Sequence, residues 1–233
     1  FEHKFNMEVG DGDRKQLMSG TIDRVDICEN DTDVYVRIID YKTGKKDFNI
    51  VKTYYGIDIQ LMVYMEAAMK LVAKMRPGKN VLPAGVFYYN ISDPIVSATN
   101  ESAEEIEDKI KGELRLKGMV NSDKDIAEKM DNTEGTSLNI PVSRKADGGF
   151  DSRRSKVMNT EQFNMLGRFV DVRAIDTADR IAGGDIRRSP YKDGQFSSCD
   201  RCPYGAVCGF SVDLPGCNYR KLKKFDDEVL WNN

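Results

Sequence analysis

The segment at residues 20–42, with the sequence GTIDRVDICENDTDVYVRIIDYK, constrains the fold of this chain most strongly. Two apolar, β-branched stretches flank a polar turn, a pattern typical of a β-hairpin. Asp23 lies in the first stretch, and Asp40 and Lys42 end the second. Because strand side chains alternate between faces, Asp40 and Lys42 point one way and Tyr41 points the other. We therefore predict that the hairpin gathers two acids and a lysine at one place.

These three side chains suit a particular chemistry. Two convergent carboxylates can hold a hard divalent cation such as Mg²⁺ through oxygen. A neighbouring ammonium can orient a water molecule and offset charge that builds on a phosphoryl oxygen. Other acid-x-Lys triplets, such as those at 2–4 and 107–109, are interpreted more simply as exposed ion pairs. The triplet at Asp40 differs because it ends an apolar strand, and it predicts metal-dependent hydrolysis of a phosphodiester.

A resemblance to a known family rests on three segments. They read GTIDRVD at 20–26, IDYKTG at 39–44 and QLMVY at 60–64. In this order they resemble the motifs of the RecB-type branch of the PD-(D/E)xK nucleases. Together with the cysteine pattern described below, the whole chain is similar to the C-terminal nuclease domain of the AddAB-type bacterial helicase/deoxyribonucleases. The resemblance implies an α/β, restriction-endonuclease-like core, with a central mixed sheet flanked by helices and a C-terminal cysteine-rich loop.

The resemblance also implies roles for individual residues. Asp23, Asp40 and the backbone carbonyl of Tyr41 would bind Mg²⁺ or Mn²⁺, and Lys42 would position or activate the attacking water. Many relatives carry a further acidic or histidine ligand on an opening helix, which we expect to precede residue 1.

Gln60 and Tyr64 lie four residues apart in a predicted helix and therefore share one face. Spacing alone favours a simpler interpretation, in which Tyr64 belongs to the core and Gln60 to its rim. The family resemblance instead places both residues beside the metal, where they would support the lysine and the DNA backbone.

Three cysteines form a second motif, Cys199-x2-Cys202-x5-Cys208. Thiolates at such spacing suit zinc or an iron–sulfur cluster, and both normally take four ligands. The fourth ligand could be Cys217, Cys28 (expected to be buried in the hairpin) or a residue outside this chain. The resemblance implies a [4Fe–4S] cluster whose remaining ligand lies upstream of the nuclease motifs. We therefore expect the cluster to be incomplete or absent in this chain.

Hydrophobic periodicity outlines the remaining elements. We predict strands at 1–10, 16–28, 33–42 and 81–91, a turn at 10–13, and helices at 53–75, 101–117, 123–130 and 160–182. We expect one nuclease domain made of a catalytic core at 1–92, an insertion of helices and loops at 93–159, a helix and short strand at 160–190, a cysteine loop at 191–217 and a tail at 218–233.

The net charge of the chain limits how it could bind DNA. The formal net charge is −3, so a DNA partner must be met by local basic patches and by metal ions. Arg144, Lys145, Arg153 and Arg154 form one such cluster, although a charge run is often only a solvated face. No apolar run approaches the ~18 residues of a membrane helix, and no signal peptide is visible, so we expect a cytoplasmic protein. The chain starts without Met, and we interpret it as a fragment of a longer one.

The resemblance implies a Mg²⁺-dependent exonuclease domain that degrades a single DNA strand during double-strand break repair and recombination. An AddA-type subunit would supply the helicase motor and a second nuclease. Two alternatives stay open: a free-standing Cas4-like exonuclease, and a catalytically dead iron–sulfur module for DNA binding or docking.

Overall fold

The computed structural model describes residues 2–9, 15–91, 93–97, 101–223 and 231. The turn predicted at 10–13 and most of the predicted tail after 223 lie outside the described residues. Contacts divide the chain into two compact units, residues 1–175 and 176–233, and each is described by itself. The division falls inside a helix and not at either of the predicted boundaries at 159 and 190.

The first unit is built on a five-stranded sheet in the order β3-β4-β5-β6-β7, with β1 and β2 forming a separate antiparallel pair. The strands are β1 (His3–Val9), β2 (Gln16–Ile22), β3 (Arg24–Glu29), β4 (Asp33–Lys42), β5 (Asn80–Asn90), β6 (Lys117–Asn121) and β7 (Val157–Met158). The helices are α1 (Ile50–Tyr54), α2 (Gln60–Met75), α3 (Ala103–Leu114), α4 (Lys124–Met130) and the first part of α5 (Thr160–Ala182). The large sheet is mixed, because β4 is parallel to β5 and antiparallel to β3.

The first strand of the predicted hairpin is in fact two strands. β2 pairs with β1, whereas β3 pairs with β4, so the chain changes partner at Asp23. The prediction of one continuous strand over 16–28 was therefore wrong. Asp23 lies between the two strands, so its side chain does not have to follow the regular alternation of strand side chains between the two faces. The Asp23 carboxylate can therefore turn toward β4.

The core lies where α2 packs on β4 and β5. Val34, Val36 and Ile38 on one face of β4 are fully buried, and Tyr35 and Ile39 on the other face are also buried, as expected for a strand that is covered on both faces. The helix predicted over 53–75 is interrupted: the chain turns after α1 through Gly56, whose φ of 73° suits glycine, and α2 begins only at Gln60. This interruption puts the Gln60 side chain in the first turn of α2.

The insertion predicted at 93–159 is more than helices and loops, because it contributes β6 and β7 to the central sheet. β6 was missed because it is short and contains Gly118, a residue that strand patterns disfavour. The structure explains the glycine: a Cβ at Gly118 would lie 1.9 Å from the Val86 carbonyl oxygen of β5. Only glycine lets β6 approach β5 this closely.

The second unit contains the end of α5 and a small three-stranded sheet in the order β10-β8-β9. Its elements are β8 (Tyr191–Asp193), β9 (Phe196–Ser197), α6 (Gly205–Cys208) and β10 (Arg220–Lys221). The helix predicted at 160–182 matches α5. Among the described residues, no helix combines the length and apolarity needed to span a bilayer.

Gly118→Ala should destabilise the first unit by about 2–3 kcal/mol, because the new methyl group meets backbone atoms that cannot move aside. Gly112→Ala in α3 is the matched control: its Cβ meets nothing within 4 Å, so the change should be neutral or stabilising by up to about 1 kcal/mol. Urea unfolding measures both. Equal stability of the two variants would contradict the close approach of β5 and β6.

Candidate active site

Asp23 and Asp40 meet across the β3–β4 ladder. Arg24 is paired with Ile39, and continuing this antiparallel register by one residue sets Asp23 opposite Asp40. The Tyr41 N–H donates a hydrogen bond of 2.8 Å to Asp23 Oδ2. Since the N–H and C=O of one strand residue face the same neighbour, the Tyr41 carbonyl also faces the Asp23 side. Two carboxylates and one main-chain carbonyl thus come from adjacent positions.

The Asp40 carboxylate is buried, with only 2% of the residue exposed. Burial raises its pKa above the usual value, the nearby charge of Asp23 adds to this, and the Lys42 ammonium opposes it. Lys42 Nζ lies 2.5 Å from Asp40 Oδ2. The Lys42 ammonium thus forms an ion pair with the buried oxygen of the Asp40 carboxylate.

A divalent metal ion fits these groups. The Lys42 ammonium offsets only part of the cost of burying the Asp40 carboxylate near Asp23, since the pKa of Asp40 stays raised, and a bound cation would offset more of it. Within the described ranges, no three His, Cys, Asp or Glu side chains form a metal-binding group. The protein ligands would therefore be Asp23, Asp40 and the Tyr41 carbonyl, all hard oxygens. Such a small set suits Mg²⁺, which keeps several of its waters when protein-bound.

Lys42 is held by a chain of polar side chains that leads to α2. Its Nζ donates to Gln60 Oε1 at 3.0 Å, and Gln60 Nε2 donates to the Tyr64 hydroxyl at 2.8 Å. Lysine has only donors, so the amide must present its oxygen to Lys42 and its nitrogen to Tyr64. The predicted Gln60–Tyr64 pair is thus adjacent to the lysine, and Gln60 is more than a rim residue.

Gly20 contributes to the same arrangement from β2. It is opposite Phe5 in the β1–β2 pair, and a Cβ at Gly20 would lie 2.7 Å from the Phe5 ring. The ring can therefore lie against β2 only because residue 20 is glycine. Phe5 in turn packs edge-on against Tyr64, with 5.8 Å between ring centroids. This contact fixes the outer end of the Lys42–Gln60–Tyr64 chain.

Three further residues lie beside the site and were missed in the sequence. Tyr88 is opposite Asp40 in the parallel β4–β5 register, and the ammonium groups of Lys42 and Lys46 each lie 5.6 Å from its ring centroid. The Tyr88 hydroxyl donates to Asp58 Oδ1 at 2.9 Å, and Lys46 pairs with Asp58 Oδ2 at 2.9 Å. Burial and the Asp58 charge raise the pKa of Tyr88, so it stays a neutral donor. Only the strand register could have indicated Tyr88.

The predicted basic cluster divides into one structural residue and three exposed ones. Arg144 donates to the Thr133 carbonyl at 2.8 Å and to the Asp131 carbonyl, so its guanidinium is used inside the fold. Lys145, Arg153 and Arg154 are exposed. These three side chains remain candidates for contacts with phosphate.

The cysteines are free thiols in the structure. Cys199 and Cys208 are half-buried and Cys202 is exposed, and among the described residues they do not form a metal-binding group with one another. Cys28 is exposed on β3, so its predicted burial was wrong. The error arose because β3 is an edge strand whose last three residues, 27–29, are all exposed.

Comparison with known proteins shows relatives along nearly the whole chain. It is 38% identical over 217 residues to AddB of the ATP-dependent helicase/deoxyribonuclease of Clostridium acetobutylicum, covering 92% of this chain and 19% of that protein. AddB of Lachnoclostridium phytofermentans is 37% identical, with 94% and 20% covered. AddB of Clostridium botulinum strain Hall is 38% identical, with 97% and 20% covered. The chain thus spans about a fifth of the length of these relatives.

The family comparison agrees with the fold and with the motifs. Residues 1–209 match the family described as the PD-(D/E)XK nuclease superfamily. The resemblance inferred from the sequence is therefore confirmed, as is the α/β core with a mixed sheet flanked by helices. This chain belongs to the PD-(D/E)XK nuclease superfamily.

Proposed function

We propose that this chain is a Mg²⁺- or Mn²⁺-dependent exonuclease domain that hydrolyses phosphodiester bonds of single-stranded DNA. The observation that carries the proposal is the buried Asp40 carboxylate, which is ion-paired with Lys42 and lies opposite Asp23 in the strand register. A protein gains little stability from such a buried ion pair, so its presence favours a role in binding or catalysis.

Asp23, Asp40 and the Tyr41 carbonyl would hold the metal ion. When bound, the ion supplies Lewis-acid polarisation of the scissile phosphate and lowers the pKa of a coordinated water. Asp23 is oriented by the Tyr41 N–H, and Asp40 by its burial at the end of β4. These contacts fix both carboxylates before substrate arrives, which reduces the cost of binding metal and DNA.

Lys42 would orient the attacking water and stabilise the charge that develops on the phosphoryl oxygens. Its ammonium has three donors, of which one is directed to Gln60. Gln60 and Tyr64 act as positioning residues: they hold Lys42 at the site without contacting the reacting atoms.

The longer relatives supply a biological setting for this reaction. They are named as subunits of a helicase/deoxyribonuclease. We propose that the domain works in a bacterial helicase–nuclease complex with an AddA-type subunit, in the cytoplasm, and degrades a strand produced by unwinding during double-strand break repair and recombination. Similarity to relatives about five times longer disfavours the free-standing Cas4-like alternative. The ordered set of Lys42, Gln60 and Tyr64 disfavours the catalytically dead module.

We further propose that Cys199, Cys202 and Cys208 contribute thiolates to a [4Fe–4S] cluster in the longer protein. Their spacing supports this assignment. Because a [4Fe–4S] cluster takes four ligands, a fourth is required, and Cys28, Cys217 or a residue outside this chain could supply it.

Asp23→Ala and Lys42→Ala should each lower Mg²⁺-dependent cleavage of single-stranded DNA by at least about 10²- to 10³-fold. The fold should persist, because Asp40 can take up a proton when its cation is removed. Asp31→Ala and Lys74→Ala, at exposed positions, are the matched controls and should retain activity. Cleavage is measured with and without chelator, and folding by circular dichroism. Full activity of either site variant would reject the proposed roles.

Charge reversal of Lys145, Arg153 and Arg154 together should flatten the dependence of DNA affinity on salt concentration. Each lost phosphate contact on a single strand lowers the slope of log affinity against log salt by about 0.7. Arg144 is left unchanged because the loop depends on it. An unchanged slope would show that this cluster is only a solvated surface.

Anaerobic purification of this chain should yield iron and acid-labile sulfide at well below one cluster per chain, and Cys202→Ser should reduce both to background. The expected deficit follows if the fourth ligand lies outside this chain, because three thiolates cannot complete the ligand set. Cys28→Ser and Cys217→Ser test the two candidate fourth ligands within the chain. Stoichiometric zinc without iron would contradict the assignment.

A further inference from the structure

A basic cleft opens next to the proposed catalytic residues, within the first unit. Its volume is about 1100 Å³, and its walls are the loop at 43–47 that follows Lys42, the segment at 93–97, and the junction between α3 and β6. Six lysine and arginine residues line it against three acidic ones. This local excess of positive charge occurs in a chain whose net charge is −3.

Three of the cations in the cleft lack acidic partners. Among the described residues, no carboxylate pairs with Lys45, Arg115 or Lys117. Arg115 donates from Nη1 to the Ser137 carbonyl at 3.3 Å, while its buried Nε has no hydrogen-bond partner in the described part of the chain. Lys117 Nζ donates to the Gly112 carbonyl at 3.3 Å. The other lysines of the cleft are neutralised: Lys46 by Asp58, Lys109 by Glu101 and Lys156 by Asp47.

The position of Lys117 costs the protein stability. Its burial, and then the charge of Arg115, lower the pKa of its ammonium. The folded state therefore disfavours the charged form that is abundant at neutral pH. The carboxylates of Glu113 and Asp47 oppose this shift but do not cancel it. Two half-buried cations, Arg115 and Lys117, that repel each other and form no ion pair within the described residues favour an anion that faces them.

The arrangement suits a chain of phosphates better than a single anion. The unpaired cations lie on different elements, the 43–47 loop for Lys45 and the α3–β6 junction for Arg115 and Lys117. No aromatic side chain is among the described residues that line the cleft, so bases would not be stacked there. The loop also carries Lys46, whose ammonium shares the Tyr88 ring with Lys42. The cleft wall thus begins one residue after Lys42, although Lys42 itself does not line it.

We propose that this cleft binds the phosphodiester backbone of single-stranded DNA, through Lys45, Arg115 and Lys117, next to the phosphate that is cleaved. The proposal rests on the nuclease function proposed above and adds the course of the strand beyond the scissile bond. Contacts to phosphate alone predict binding that does not depend on base sequence and that weakens steeply with salt.

The test compares two double variants of the chain that lose the same charge. Lys45→Gln with Lys117→Gln alters the cleft, and Lys4→Gln with Lys74→Gln alters exposed lysines elsewhere. Fluorescence anisotropy with a labelled thymidine oligonucleotide, in EDTA to prevent cleavage, gives affinity against salt. The cleft variant should lower the slope by about 1.4, from two lost phosphate contacts, and the control by much less. Thermal unfolding of both double variants checks that neither pair of substitutions disrupts the fold.

Equal slopes for the two double variants would overturn the proposal, as would an unchanged slope in the cleft variant. A Mg²⁺ cleavage assay on the same wild-type preparation separates the two proposals. If the wild type does not cleave but the cleft variant loses salt-dependent binding, the nuclease proposal fails while the cleft stands. If the wild type cleaves and the cleft variant binds normally, only the cleft proposal fails.

Discussion

The site depends on one pairing, the approach of Asp23 to Asp40 at the end of the β3–β4 ladder. The chain changes strand partner at Asp23, which frees its carboxylate to accept from the Tyr41 N–H. Asp40 is buried near the end of a strand that the core covers on both faces. Two like charges so placed repel each other, and the Lys42 ammonium offsets this only in part. A bound cation would compensate the remaining negative charge of the two carboxylates.

Lys42 is the second constraint, because its ammonium must be held at the acids, where it forms an ion pair with Asp40. Gln60 holds it from α2, and the Tyr64–Phe5 contact, made possible by Gly20, holds Gln60. The interruption before α2 is what brings Gln60 to the first helical turn. A small break in one helix thus serves the geometry of the site.

Hydrophobic periodicity predicted those strands and helices whose pattern is contained in a short stretch of sequence. The hairpin, the alternation that separates Asp40 from Tyr41 and the helix α5 could all be inferred from periodicity. The strand β6 could not, because it is short and its Gly118 is explained only by contact with β5. Tyr88 was missed for a similar reason, since its place opposite Asp40 is set by the register of two parallel strands far apart in sequence.

The most direct measurement of the central claim is an anomalous diffraction map from crystals soaked in Mn²⁺. We expect a peak between the carboxylates of Asp23 and Asp40, within coordination distance of the Tyr41 carbonyl, and we expect Asp40→Asn to abolish it. A map in which Mn²⁺ binds elsewhere, with the two carboxylates directed away from each other, would contradict the account.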